Sequence, residues 1–222
     1  MKGLMFNNKY GLQDSVLNGT KTMTRRNIRI PNSFNGIWVA GFKKWTNSLG
    51  KWFTELYDGD ERSIDGSELK PPCEIGEVVA IKQSYKDIGF EPEKILYRSI
   101  PEIDGYRLER ADSEKGWNNK MFVCNDLMTH KVKIINIILQ RLQDISNEDC
   151  FKEGVIKNQI GYYVKGIKPD KIHCSYTIVD DVAYKLFPTP KEAYAALINK
   201  VNGKGTWDNN DWVWAIEFEL ID

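Results

Sequence analysis

Residues 17–26 read LNGTKTMTRR, and the prediction of the fold starts from this stretch. Before it, the apolar positions within residues 12–17 have the spacing of one face of a short helix. Gly19 then stands where a helix commonly stops. Residues 20–26 alternate threonine with lysine, methionine and arginine, and threonine-rich alternation favours an extended strand. The stretch therefore predicts a helix, a glycine stop and a cationic strand.

The overall composition is that of an ordinary globular chain. It has 222 residues, of which 41% are hydrophobic and 28% are charged. This length can bury one sizeable core, so we expect a single domain over 1–222. Lys plus Arg and Asp plus Glu both number 31, which gives no net charge. Because duplex-binding proteins usually carry a basic excess, this balance argues against that class, although a local basic patch stays possible.

Neither a membrane segment nor a metal site is expected. The N-terminal apolar run is too short for a signal peptide, and no run approaches the roughly 18 residues of a membrane span. The cysteines are widely spaced and form no CxxC pair: Cys73, Cys124, Cys150 and Cys174. We therefore expect reduced thiols in a cytoplasmic protein, without zinc, another metal or a cofactor.

Further elements follow from alternation, capping residues and turns. Ser146 is a good N-cap, Asp149 can complete its capping box, and Gly154 can stop the resulting helix. Thr189 and Pro190 are suited to the start of a second helix. The remaining expectations are strands at 76–85, 95–98, 131–145 and 211–221, and the second helix at 191–201.

These elements predict an α+β fold, namely a small, partly closed β-barrel with flanking helices. Residues 31–75 and 156–189 are irregular and rich in turn residues, so they are expected to be insertions. No internal repeat is apparent.

Lys21 and Thr24 could act together in chemistry. An ordinary lysine, with a pKa of about 10.4, is a poor base near neutral pH, but burial or nearby arginines would lower that pKa. Such a lysine could deprotonate a hydroxyl. On a regular strand these two residues point to opposite faces, so they meet only if the backbone bends. The alternative interpretation is a cation-rich strand edge.

Two further positions have competing interpretations. Glu153 lies at the end of the predicted helix, where a carboxylate opposes the helix dipole. It could face a cation such as Lys21 or Arg26, or it could be a solvated surface residue. Most of the seven tryptophans are expected in the core, but Trp117 lies in a polar run and is a candidate for a pocket wall.

Several motifs together resemble the ASCH family of the PUA-like superfamily, in the form common in phages and prophages. Residues 2–26 are similar to its opening, including the G-x-K-T-x-T-x-R signature. GEVVAIKQSY at 76–85 resembles its GD-x-h-x-V-R-E strand, except that Lys82 and Gln83 replace the usual Arg-Glu pair. RLQDISNEDCFKEGV and DWVWAIEFEL resemble a central segment and the closing strand.

The resemblance implies a PUA-like barrel whose cleft is lined by the signature in a curved loop. Many members are thought to bind RNA or nucleotides. One bacterial branch consists of amidohydrolases that remove the acetyl group from N4-acetylcytidine. Its motif positions imply that Lys21, Thr24 and Glu153 are the catalytic set here, and that Arg26 contacts substrate or phosphate.

Three hypotheses follow for function. The first is a metal-independent amidohydrolase acting on a modified nucleoside through Lys21, Thr24 and Glu153. The second is a non-catalytic module that binds RNA or a modified nucleotide in the same cleft. The third is an inert structural or host-interaction protein of a mobile element. The candidate binding residues are Thr22, Arg25, Arg26, Lys82 and Trp117, and the oligomeric state is left open.

Overall fold

The computed structural model describes residues 1–48, 52–89, 115–169 and 175–221. Its fold is mixed α+β, with one five-stranded sheet, several short hairpins and few helices. The α+β class predicted from the sequence is therefore confirmed. The strand predicted at 95–98 lies outside the described residues.

The elements are numbered in chain order. The strands are β1 (Gly3–Met5), β2 (Met23–Asn27), β3 (Ser33–Phe34), β4 (Ile37–Trp38), β5 (Gly41–Thr46), β6 (Trp52–Tyr57), β7 (Val78–Lys82), β8 (Lys131–Arg141), β9 (Ile156–Asn158), β10 (Gly161–Tyr163), β11 (Tyr176–Val179), β12 (Val182–Lys185) and β13 (Trp212–Ile221). The α-helices are α1 (Leu12–Leu17), α2 (Asn147–Lys152), α3 (Pro190–Asn202) and α4 (Thr206–Asn209). Single 3-10 turns cover Asn8–Tyr10, Lys120–Phe122, Asn125–Leu127 and Leu142–Asp144.

The main sheet has the strand order β1-β7-β8-β13-β2. Only the β1–β7 pair is parallel, and the other neighbours are antiparallel. The long β8–β13 pair forms its centre, where alternate residues such as Val132 and Ile134 are fully buried. The terminal strand predicted at 211–221 is confirmed as β13.

The strand predicted at 131–145 is too long by four residues, because β8 ends at Arg141. The Asp144 carboxylate accepts a hydrogen bond from the Arg141 amide, and the Asn210 side chain accepts one from the Gln143 amide. These bonds satisfy the backbone in a 3-10 turn and take it out of the sheet ladder.

The sheet is open, because β1 and β2 are its two edge strands and no backbone pairing joins them within the described ranges. A side chain links the edges instead: Arg26 Nη2 donates to the Met5 carbonyl at 2.6 Å. The partly closed barrel expected from the sequence thus stays a prediction.

Both helix N-caps predicted from the sequence are confirmed. The Ser146 hydroxyl accepts a hydrogen bond from the Asp149 amide at 3.0 Å and caps α2. The Thr189 hydroxyl accepts one from the Glu192 amide at 3.2 Å, with proline at the first position of α3. These signals are local, so they operate without the rest of the fold.

The irregular segment 31–75 packs into the molecule. It forms the β3–β4 and β5–β6 hairpins, and Leu56 and Ile64 belong to the main hydrophobic core. Phe42 and Trp52 from these hairpins contact Trp212 and Trp214 of β13, with ring centroids 5.8 Å and 5.2 Å apart. The segment 156–189 contributes the β9–β10 and β11–β12 hairpins.

Cys73, Cys124 and Cys150 are free thiols, and Cys174 lies outside the described residues. Among the described helices, none is long and apolar enough to cross a membrane.

Candidate functional site

A cleft of about 700 Å³ opens beside the two edge strands of the main sheet. Its walls come from β1, from β2, from one face of α3 and from residues 69–72 of the irregular segment. The cleft therefore occupies the place where β1 and β2 would have to meet to close a barrel. Polar and charged side chains of the GTKTMTRR stretch reach it from β2 and from the turn before it.

The turn before β2 gives Lys21 its position. After α1, the chain turns at Gly19 with a φ of 74°. The Lys21 amide then donates to the Ser15 carbonyl at 2.8 Å, and the Thr22 amide donates to the Lys152 carbonyl at 3.0 Å. Regular strand structure starts only at Met23. Lys21 therefore precedes the strand, and the alternation rule that separates Lys21 from Thr24 does not apply.

The Lys21 ammonium is buried and fully hydrogen-bonded. Its side chain is 2% exposed. Nζ donates to the Met23 carbonyl at 2.6 Å, to the Glu153 carbonyl at 2.9 Å and to Glu153 Oε2 at 2.6 Å. A lysine ammonium has three donors, so all three are used within the protein. β2, which carries Arg25 and Arg26, is an edge strand as the alternative interpretation expects, but Lys21 precedes it and is buried.

The Glu153 carboxylate accepts hydrogen bonds from two cationic side chains. It caps the C-terminus of α2, and Gly154 follows with a φ of 107°, a backbone conformation that favours glycine. Oε2 accepts from Lys21, and Oε1 accepts from Arg25 Nη1 at 3.0 Å. Glu153 is 4% exposed, so the interpretation as a solvated surface residue is wrong. Of the two partners considered from the sequence, Lys21 and Arg26, the ion pair forms with Lys21, and Arg25 forms a second one.

Arg25 is engaged inside the protein. Its side chain has no exposed surface, and Nη2 donates to Asp149 Oδ2 at 3.0 Å while Nη1 binds Glu153. The sequence predicts a ligand contact for Arg25, but its charge is already matched by two carboxylates. Arg25 instead acts as a support that holds the Glu153 carboxylate against Lys21.

Burial and the neighbouring Glu153 carboxylate shift the pKa of Lys21 in opposite directions. Desolvation is the largest influence and lowers the pKa of Lys21 below 10.5, while Glu153 raises it in part. The positive charges of Arg26 and Arg25 lower it further. The lysine is thus shifted towards the neutral amine, which is the form that can accept a proton.

The other predicted site residues divide into two groups. Thr24 is 6% exposed and lines the cleft, and its hydroxyl makes no hydrogen bond to any residue in the described ranges. Arg26 also lines the cleft, with its guanidinium 5.6 Å from the centre of the Phe6 ring. The side chains of Thr22, Lys82 and Trp117 are not among those that line it.

The structure shows where these three residues lie. Thr22 accepts a hydrogen bond from the Phe218 amide and belongs to the backbone network that enters β2. Lys82 Nζ donates to the Met121 carbonyl at 3.3 Å. Trp117 packs against a small separate cluster that contains Tyr85. Their predicted roles in binding are therefore not supported by proximity to the cleft.

Among the described lining residues, two cations and one hydroxyl group have no counterpart in the sequence prediction: Arg29, Lys70 and Tyr194. Tyr194 is 1% exposed, and its hydroxyl has no partner in the described part of the chain. Burial raises the pKa of Tyr194 well above 10.0, so its hydroxyl stays protonated and can donate. In the sequence, Tyr194 lies among the apolar residues of α3, and this pattern predicts only a core residue. Lys70 and Arg29 belong to no sequence motif that would predict them as site residues.

The charge of the cleft lining is strongly positive. Among the described lining residues, one carboxylate, that of Glu153, is accompanied by five cations: Lys21, Arg25, Arg26, Arg29 and Lys70. Within the described ranges, no three His, Cys, Asp or Glu side chains come together as potential metal ligands. The cleft thus combines a buried amine, a free hydroxyl and an excess of positive charge.

No protein-family model, curated protein or solved structure matches the chain.

Proposed function

We propose that the protein is an amidohydrolase that acts on a modified nucleoside of the N4-acetylcytidine type. One observation carries the proposal: a buried Lys21–Glu153 pair with an Nζ–Oε2 distance of 2.6 Å lies in the same cleft as the unpartnered Thr24 hydroxyl. A buried amine paired with a carboxylate, in the same cleft as a hydroxyl, supplies a base and a nucleophile for metal-independent amide hydrolysis. These are also the residues that the resemblance to ASCH amidohydrolases implies.

The PUA-like architecture belongs to the same proposal. It is supported by the position of the cleft between the edge strands β1 and β2. Arg26 of β2 connects the two strands, because it donates a hydrogen bond to the Met5 carbonyl of β1. In this proposal the sheet is a barrel left open on one side, and the substrate occupies the opening.

The proposed reaction begins with a proton transfer inside the pair. Lys21 gives a proton to Glu153 Oε2, which leaves a neutral amine and a protonated carboxyl group. The amine then takes a proton from the attacking group, which is either the Thr24 hydroxyl or a water molecule. The freed oxygen adds to the acetyl carbonyl carbon and forms a tetrahedral oxyanion. The neutral Tyr194 hydroxyl, which lines the cleft, is the donor available to that oxyanion.

The collapse of the tetrahedral intermediate completes the reaction. The C–N bond breaks, and the exocyclic nitrogen of cytosine takes the proton that Lys21 holds. If Thr24 attacked, a water molecule then hydrolyses the acetyl ester by the same base. The products are the free amine and acetic acid, which releases its proton to solvent and leaves as acetate, and Lys21 recovers its proton from Glu153. The net reaction consumes one water molecule and needs no metal or redox partner.

A second candidate is a non-catalytic RNA or modified-nucleotide binding module. The observation that favours it is the excess of cations in the cleft lining, which suits phosphate groups. In this alternative the Lys21–Glu153 pair would be structural, because all three lysine donors are already used.

The deciding experiment measures acetate and cytidine released from N4-acetylcytidine by the wild-type protein and by Lys21→Ala. We expect a loss of at least about 100-fold in kcat/KM, the usual scale for removing a general base. Because Lys21→Ala leaves Glu153 buried beside a gap, Thr24→Val serves as a second variant that keeps the side-chain volume. Thermal unfolding of each variant establishes that it is folded.

The matched control is Lys133→Ala, which removes an exposed lysine from β8 outside the cleft. It should retain wild-type turnover. Release of acetate that persists in folded Lys21→Ala would refute the assigned role of Lys21. No turnover in any folded protein would refute the enzyme proposal; nucleotide binding would then support the binding module, and its absence would support the inert-protein hypothesis.

A further inference from the structure

The cations of the cleft differ in whether their charge is compensated. Lys21 and Arg25 are neutralised by Glu153, and Arg25 is also paired with Asp149. The other three cations, Arg26, Arg29 and Lys70, have no carboxylate within 4.0 Å among the described residues. Positive charge therefore remains available to a ligand.

Arg26 is the most informative of these three residues. Its guanidinium is partly buried between the Phe6 ring and the Met5 carbonyl, which accepts a hydrogen bond from Nη2 at 2.6 Å. Its Nε atom is buried and has no partner within the described chain. A buried charged donor without an acceptor is costly unless something supplies one. Burial also lowers the pKa of Arg26, and the attraction of Glu153 offsets this only in part.

Arg29 and Lys70 extend the positive charge outward along the cleft. Arg29 follows the end of β2, and Lys70 comes from the irregular segment on another wall. Both are exposed, so their side chains cost little to leave unpaired and are free to move towards a ligand. An anion in the cleft could therefore be reached from two walls, with Arg26 deeper inside.

We propose that Arg26, Arg29 and Lys70 form a phosphate subsite, so that the ligand of the cleft is a nucleotide rather than a free nucleoside. This inference rests on the proposed function for the identity of the base, but the subsite itself rests only on the three uncompensated cations. Phosphate suits them because guanidinium groups give charge-assisted, multiply hydrogen-bonded contacts to its oxygens. The phosphate comes from a mononucleotide or from an RNA strand, which share this chemistry.

The experiment compares the binding of cytidine, cytidine 5′-monophosphate, inorganic pyrophosphate and a short cytidine oligoribonucleotide by titration calorimetry. The variant is Arg29→Gln/Lys70→Gln, whose side chains are exposed and whose loss should not affect folding. The control is Arg62→Gln/Lys133→Gln, which removes the same formal charge from exposed residues outside the cleft. Each titration is run at about 50 mM and about 300 mM salt, where screening differs.

We expect the wild-type protein to bind the monophosphate about tenfold or more tightly than cytidine at low salt, as expected for charge-assisted contacts to phosphate. The preference should weaken at high salt, disappear in Arg29→Gln/Lys70→Gln and persist in the control. Equal affinity for cytidine and its monophosphate would overturn the subsite, even if N4-acetylcytidine is hydrolysed.

The remaining probes separate this inference from the proposed function. Pyrophosphate that binds the wild type but not Arg29→Gln/Lys70→Gln supports the subsite even if no acetylated nucleoside is turned over. Failure of every phosphate-containing probe to bind overturns it. If the oligoribonucleotide binds more tightly than the monophosphate and with a steeper salt dependence, the phosphate comes from RNA. Equal affinities assign it to a mononucleotide.

Discussion

Glu153 is the residue on which the buried polar cluster depends, because its carboxylate is shared by the Lys21 ammonium and the Arg25 guanidinium. Such a cluster adds little net stability, since the desolvation of each charge offsets most of the attraction. Removing one charged member of the cluster is nevertheless strongly destabilising, because its partner is left buried and unpaired. A cluster that is costly to break and gives little stability in return is typical of a functional site.

Replacing Glu153 should therefore be strongly destabilising. Glu153→Gln keeps the shape but leaves the Lys21 ammonium, at 2% exposure, without a counter-charge. We expect a loss of about 3–5 kcal/mol in the free energy of unfolding, measured by urea denaturation. The double variant Lys21→Met/Glu153→Gln should recover part of this loss, because the unpaired ammonium is gone. A loss under about 1 kcal/mol for Glu153→Gln would contradict the coupling.

The ionisation of Lys21 should be visible in the dependence of stability on pH. Burial lowers its pKa below 10.5 in the folded protein, whereas the unfolded chain keeps the ordinary value. Between these two values the unfolded state binds more protons, so the contribution of Lys21 to stability increases as the pH rises through that window.

Comparison with Lys21→Met isolates this contribution from the other groups that titrate at alkaline pH. The free energy of unfolding of the wild type, minus that of Lys21→Met, should increase with pH in the window below 10.5. Denaturation curves at a series of pH values provide the measurement. A difference that stays flat, or that decreases, would show that the folded protein does not lower the pKa of Lys21.

Among the secondary-structure elements, α2 is the one that delivers a site residue through local signals alone. Ser146 caps its first turn, Asp149 lies in that turn and binds Arg25, and Glu153 caps its end. The helix has only 6 residues, so it has little intrinsic stability and depends on its caps. The start of the helix is therefore linked to the placement of the carboxylate at its end.

Ser146→Ala removes the hydroxyl that accepts from the Asp149 amide at 3.0 Å. We expect the free energy of unfolding to fall by about 1 kcal/mol, the usual cost of losing an N-cap. Ser146→Asp restores an acceptor at the same place and should stay near the wild-type value in thermal or urea unfolding. Equal destabilisation by both variants would mean that the hydroxyl is not what stabilises the helix.

The same contrast between local and distant contacts explains what could be predicted from the sequence. The caps at Ser146 and Thr189 were predictable because each bond spans three residues. Two bonds end β8 at Arg141: the one to Asp144 is local, but the one to Asn210 spans 67 residues and has no local signal. Lys21 was assigned to a strand face, although hydrogen bonds to Ser15 and Lys152 hold it in the turn before β2.

The residues that line the cleft also divide into those that local sequence patterns predict and those that they do not. Lys21, Thr24, Glu153 and Arg26 were predicted because they belong to motifs, and all four line it. Among the other described lining residues, the cations Arg29 and Lys70 and the hydroxyl group of Tyr194 are marked by no short-range pattern. The motif thus predicted the chemistry of the cleft, while its walls and most of its uncompensated charge depend on the folded molecule.

At the scale of the whole molecule, described residues of segment 31–75, the predicted insertion, belong to the main core. Leu56, which is 1% exposed, belongs to the same hydrophobic cluster as Val132 and Ile216 of the central strands. The segment also supplies Lys70 and neighbouring residues to one wall of the cleft. The site and the core therefore share this segment, so its unfolding should be coupled to that of the sheet.

Leu56→Ala tests this coupling. Removing a fully buried leucine side chain should lower the free energy of unfolding of the entire protein by about 2–5 kcal/mol. Because the segment shares its core with the sheet, circular dichroism and tryptophan fluorescence should still report one coincident transition in urea. Ile178→Ala is the control, since Ile178 is 63% exposed on β11, and it should change stability by no more than about 0.5 kcal/mol. Two separate transitions in Leu56→Ala, with the later one at the wild-type midpoint, would show instead that segment 31–75 is an independent appendage whose loss leaves the sheet intact.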